Sequence, residues 1–122
     1  MKSLPPIHWM PRARKDLARC VQFVAAHPWG NPTKRTRELA RGVSTIPSHP
    51  LLSPLYARRP GTGIELRRRN VAQFVVIYSY IAPTETRPRG RVSIRAIRHG
   101  NEEDVFHGVR QICPRYEVTR QS

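Results

Sequence analysis

"RVSIRAIRHG", residues Arg91–Gly100, alternates like a strand, yet it carries three arginines and a histidine. On a pleated strand Val92, Ile94 and Ala96 point one way, while Arg91, Ser93, Arg95, Ile97 and His99 point the other. The alternation predicts a strand over Arg91 to Arg98 whose cations share a face. Just upstream, "PTETRPRG" holds Pro83, Pro88 and Gly90 and reads as a hairpin loop. Before it, Val71 to Ile81 is a β-branched and aromatic run too long and too apolar for an edge, so it predicts the central strand. Tyr78 and Tyr80 in that run are core-packing candidates rather than base-stacking ones. Ile64 to Arg68 gives one more strand, with Asn70 marking a tight turn.

Further upstream the period changes to that of helices. Ala13, Leu17, Cys20, Val21 and Val24 recur at steps of three and four, which predicts an amphipathic helix from Pro11 to Ala26. Proline suits its first position. Arg12, Lys15, Asp16, Arg19 and Gln22 fall on its wet face, where Arg12 and Asp16 can pair weakly at i,i+4. "HPWGNP" breaks that helix, and a second pattern starts at Asn31, a candidate N-cap followed by Pro32. It runs through Leu39, Ala40 and Val43 to Ile46. The piece Ile7–Met10 before the first helix predicts a brief strand. "SHPLLSPLYARRPG" is proline-dotted and reads as a loop packed by Leu51, Leu52, Leu55 and Tyr56. Beyond the hairpin, Asn101 caps a short C-terminal helix from Glu102 to Ile112, with Glu102, Glu103 and Asp104 set against its N-terminal dipole. The expected architecture is α+β in two layers: a short first strand, then a helical hairpin packed on an antiparallel meander, closed by that C-terminal helix. One face of the sheet is expected to be covered by the hairpin and the other to be less covered.

The 122 residues suit one domain spanning 1–122, large enough for a single core. Lysine and arginine total 22 against 8 acids, a net charge of +14. Self-repulsion at that level favours a polyanionic partner; RNA, DNA and an acidic protein all qualify. Arginine-rich codon usage is another source of 19 Arg against 3 Lys, but it does not explain the shortage of acids. The start "MKSLPPIHWMP" lacks the apolar run of a signal peptide, and no stretch reaches the about 20 apolar residues of a membrane span. A cytoplasmic protein without a membrane partner is expected. Cys20 and Cys113 are read as reduced packing residues. Trp9 and Trp29 are read as packing residues as well. No phosphate loop, zinc signature or nucleophilic triad is present, so no cofactor, metal or small-molecule substrate is implied.

Three segments together resemble a known family. "IHWMPRARKDLARCVQFVA" looks like the opening of the RelE/ParE superfamily of bacterial toxins, in which a short strand leads through an aromatic and a proline into a helix. "VAQFVVIYSYI" followed by "VSIRAIRHG" resembles that family's central hairpin. The resemblance runs from Ile7 to Val109 and implies the toxin of a type II toxin–antitoxin pair, neutralised by an acidic antitoxin protein. RelE-like members are ribosome-dependent mRNA endoribonucleases, and ParE-like members poison DNA gyrase by binding it. "IRHG" before an acidic helix start looks more like the ParE pattern. The absence of any lysine after Lys34 departs from the RelE-like set. A non-toxic basic binding module is the third alternative.

Each reading names residues. RNA cleavage asks for a base, cations on the phosphate and an acid. His99 would be the base or acid, Arg95 and Arg98 the clamp, and His107 or Tyr116 the other proton carrier. His99 beside Gly100 is as readily a turn residue. Binding of carboxylates or phosphates falls to Arg67, Arg68 and Arg69, the densest basic run, and to Arg91 and Arg95. Alternation sends Arg67 and Arg69 to the same side. Glu103 and His107 stand at i,i+4 but read as a solvated pair.

Overall fold

The strand around Ile94 organises the molecule. In the computed structural model, which describes residues 4–27, 30–58, 61, 64–99 and 117–118, nine elements follow in order. They are β1 (Ile7–Trp9), α1 (Pro11–Ala25), α2 (Pro32–Ser44), a 3-10 turn (Ile46–Ser48), β2 (Leu55–Arg58), β3 (Glu65–Val71), β4 (Phe74–Ile81), β5 (Arg91–His99) and β6 (Glu117–Val118). The strands form one sheet in the order β1-β5-β4-β3-β2-β6. From β5 to β6 all pairings are antiparallel. β1 lies parallel to β5, with Ile7 opposite Val92. The meander of β2 to β5 is antiparallel as expected, and β1, whose pairing the sequence left open, makes the sheet mixed. The α+β, two-layer reading holds: α1 and α2 pack on one face. The expected C-terminal helix over 102–112 lies outside the described residues.

Local chemistry explains the helices. Pro11 and Pro32 occupy first-turn positions, where no amide donor is needed. Asn31 caps α2 as its spacing predicts, its side chain accepting from Lys34 N at 3.1 Å. α2 ends at Ser44, and the chain tightens into a 3-10 turn that buries Ile46 and Pro47. Gly42 lets α2 approach the sheet: a Cβ there would stand 2.2 Å from Val71 Cγ1.

Two apolar clusters sit on opposite faces of the sheet. The larger joins Ala13, Cys20, Val24, Leu39, Val43 and Ile46 to Phe74, Val76, Tyr78, Val92, Ile94 and Ile97. Burial of side chains of this size stabilises by about 1.5–3 kcal/mol each. Tyr78 belongs to this core, and its hydroxyl donates to Pro50 O at 2.7 Å. The smaller cluster contains Tyr56, Ala57, Leu66, Val75, Ile77 and Ala96. The centre of the second face is thus buried as well, under a smaller cluster than the helix side.

Three local features depart from the sequence reading. "LYAR" within the proline-dotted segment is a strand, β2, while Leu51 and Leu52 are exposed at 60% and 76% instead of packing the loop. The tight turn falls at Ala72–Gln73, not Asn70, which remains paired with Val75. Ala72 carries the required left-handed backbone, φ 54°. The third departure is a β-bulge in β5. Ile77 pairs with Ala96, and Tyr78 pairs with Ile94. Arg95 is the extra residue, and from there side chains exchange faces. Ile97 joins Val92 and Ile94 on the helix side, and Ala96 joins the opposite cluster. The shared face expected for Arg91, Ser93, Arg95, Ile97 and His99 therefore breaks at the bulge.

Candidate functional site

β5 has two kinds of neighbour on its outer edge. β1 covers it only through Val92–Ile94, and the last backbone bond there is Met10 N–H to Ile94 O at 3.0 Å. Beyond that point the chain has turned into α1, and side chains of α1 take over the ladder. Asp16 Oδ2 accepts the Ile97 N–H at 3.1 Å, and Arg19 Nη2 donates to Ile97 O at 3.2 Å. Asp16 is 1% exposed. Its Oδ1 also meets Arg19 Nη1 at 3.0 Å, Arg98 Nη1 at 3.4 Å and Arg12 Nε at 3.5 Å. The sequence reading placed Asp16 on the wet face. The spacing Ala13, Asp16, Cys20, Val24 shows why it is not there: Asp16 stands in the buried stripe of the helix.

This arrangement separates the nuclease candidates. Arg98 is 7% exposed and tied to Asp16. His99 is 1% exposed, with its ring 4.8 Å from Phe23 and 5.6 Å from Phe74 between centroids, and its Nε2 3.3 Å from Gln73 Oε1. Arg95 stands on the opposite face, where its Nε donates to Ser79 Oγ at 3.1 Å. His99, Arg95 and Arg98 are neighbours in sequence, yet the fold does not converge them on one solvent-facing point. His107, Tyr116 and Glu103 lie outside the described residues, as do Cys113 and Trp29.

The binding candidates separate into three groups. Arg67 is a structural clamp: its Nη1 donates to Ser53 O at 2.9 Å, and its Nη2 stands 3.5 Å from Glu65 Oε1. Arg69 shares its face, since the two residues lie opposite Val76 and Tyr78. Arg68 and Arg69, half-buried and without side-chain partners among the described residues, line a shallow hollow of about 470 Å³ with Leu52, Ser53, Pro54 and Asn70. Arg91 and Arg95 form the third group, on the second face at the hairpin end of β5. Burial, and then the neighbouring Arg87 and Arg95, hold the Arg91 guanidinium below its usual pKa. Its charge is therefore disfavoured where it stands.

Among the described residues no group of three or more His, Cys, Asp or Glu could hold a metal. No helix among them is long and apolar enough to cross a membrane. Cys20 is a buried thiol packed in the main core. The comparisons with known proteins give no family: no family model matches the chain, and no curated protein matches it.

Proposed function

We propose that this chain is the toxin of a type II toxin–antitoxin pair, ParE-like, which inhibits DNA gyrase by protein contact in the cytoplasm and is neutralised by an acidic antitoxin. The observation that carries the reading against its nuclease rival is the placement of His99. A general base or acid must come within hydrogen-bond reach of the ribose hydroxyl or the leaving oxygen. His99 instead stands in an aromatic box at 1% exposure, on the helix side of the sheet. Arg98 is committed to Asp16. Arg68, Arg69 and Arg91 meanwhile have no acidic partner among the described residues, and they sit on a chain of net charge +14. Cations placed in this way fit carboxylates supplied by another protein. The order of a short strand, two helices and antiparallel strands also agrees with the toxin resemblance.

Expression of the chain alone, and then together with the small reading frame beside its gene, tests the proposal. The expected outcome is growth arrest with filamentation and DNA-damage signalling, relieved by the neighbour, and loss of supercoiling by purified gyrase. Rapid loss of translation with mRNA cut within codons would replace this reading with the endoribonuclease. Normal growth would leave the basic binding module.

A further inference from the structure

The outer edge of β3 is only partly paired. β2 lies along it from the Arg58–Glu65 pair to the Leu55–Arg67 pair, and the last bond is Arg68 N–H to Pro54 O at 3.0 Å. β3 itself runs on to Val71. Every second residue of a strand turns its N–H and C=O to the same side, so Asn70, two beyond Arg68, presents both to that outer edge. Asn70 is exposed, and among the described residues no strand pairs with it there. Such an edge is a template for an added strand.

The hollow of about 470 Å³ borders this edge and supplies side-chain contacts for such a strand. Leu52 forms one wall, exposed beside the equally exposed Leu51, and adjacent bare leucines rimmed by cations mark an interaction surface. The loop that displays them is fixed. Tyr78 Oη donates to Pro50 O at 2.7 Å, Arg67 Nη1 to Ser53 O at 2.9 Å, and Leu52 N–H to His49 O at 3.2 Å. Arg68 and Arg69 form the other wall, half-buried and without side-chain partners among the described residues. They lie opposite Ile77 and Val76, and therefore on opposite faces of β3. Successive side chains of an extended peptide also alternate faces, so a peptide laid along Asn70 brings one carboxylate to each arginine. The net charge of +14 favours an acidic occupant over a second copy of this chain.

We infer that the open edge of β3 at Asn70, with Leu52, Arg68 and Arg69, docks an extended acidic segment of a partner protein, added as a short strand with an aliphatic side chain against Leu52. The inference rests on the acidic-partner part of the toxin reading and needs neither gyrase nor toxicity.

A nine-residue peptide of three glutamate-glutamate-leucine repeats, titrated into the full chain, tests it. The peptide should bind saturably, and the Asn70 amide should exchange with solvent more slowly in the complex. Arg68→Gln and Arg69→Gln should each weaken binding about tenfold, since a charge-assisted hydrogen bond is lost. Arg14→Gln, an equal loss of charge at an exposed site on α1, should change it by less than about twofold. Leu52→Ser should weaken it several-fold while leaving the melting temperature level, because Leu52 packs on nothing in the free chain. Peptide binding that Arg68→Gln, Arg69→Gln and Leu52→Ser leave undiminished would overturn the site and move the acidic partner elsewhere. Unchanged exchange at Asn70, or equal weakening by Arg14→Gln, would overturn it too. So would a short RNA that displaces the peptide and is weakened by the same variants, or self-association of the chain abolished by Leu52→Ser. No saturable binding at all overturns the site, whereas the toxin reading is judged separately by growth arrest and its rescue.

Discussion

Replacing Asp16 with alanine tests the idea that one carboxylate finishes the outer edge of β5. The substitution strands the Ile97 N–H, and an unsatisfied buried donor costs about 1–3 kcal/mol. It also leaves Arg98, whose side chain is 9% exposed, without its counter-charge, and removing one member of a buried pair costs about 3–5 kcal/mol. The two costs overlap because both arise from the same oxygens. Arg12 and Arg19, with side chains 39% and 41% exposed, add at most about 1 kcal/mol each. The expected loss is about 3–5 kcal/mol, a large part of the about 5–15 kcal/mol that holds a domain together. Urea unfolding monitored by far-ultraviolet circular dichroism measures it. Asp16→Asn retains an acceptor for Ile97 and should lose less than Asp16→Ala. In an Arg98→Met background, Asp16→Ala should cost about 1–3 kcal/mol less than in the wild type, because the pair is already broken. A loss below about 1 kcal/mol for Asp16→Ala, or a cost unchanged by Arg98→Met, would refute the reasoning.

Two further outcomes follow from the backbone. Ala72→Gly, at φ 54°, should raise stability by about 0.5–1 kcal/mol, because glycine adopts that conformation without the Cβ penalty; thermal unfolding checks it. Deleting Arg95 removes the bulge but leaves Ile94 and Ala96 opposite Tyr78 and Ile77, so every later residue keeps its face and register. The variant, like deletion of the exposed loop residue Glu85, should keep cooperative unfolding, whereas deleting Val76 from the regularly paired part of β4 should abolish it.

The helices were legible because proline, asparagine and the apolar spacing all agree at Pro11 and at Asn31–Pro32. β4 was legible because seven of its eight residues are β-branched or aromatic. The rest was hidden for definite reasons. A bulge leaves the letters of an alternating strand unchanged, so Arg95 looks like any other outward residue until the partner register is known. The left-handed turn at Ala72 is carried by a residue that gives no turn signal. β2 is short and flanked by prolines, and its pairing with β3 is non-local. Asp16 could have been found from its spacing relative to Ala13 and Cys20, but a charged residue three positions from Arg19 and four from Arg12 reads first as a surface pair. The candidate arginines were singled out by type, yet their places diverged with geometry: Arg67 braces a loop, Arg98, a clamp candidate, serves an edge, and Arg91 is left unsatisfied.

The parallel pairing of β1 with β5 has a consequence for the order of assembly. Ile7 finds Val92 only after most of the chain has left the ribosome, and α1 finds its docking partner Ile97 later still. Contacts so distant in sequence slow folding. During synthesis only α2 can cover the apolar stripe of α1, and only in part, until the β4–β5 hairpin emerges, a delay in which the nascent chain has reason to engage a chaperone.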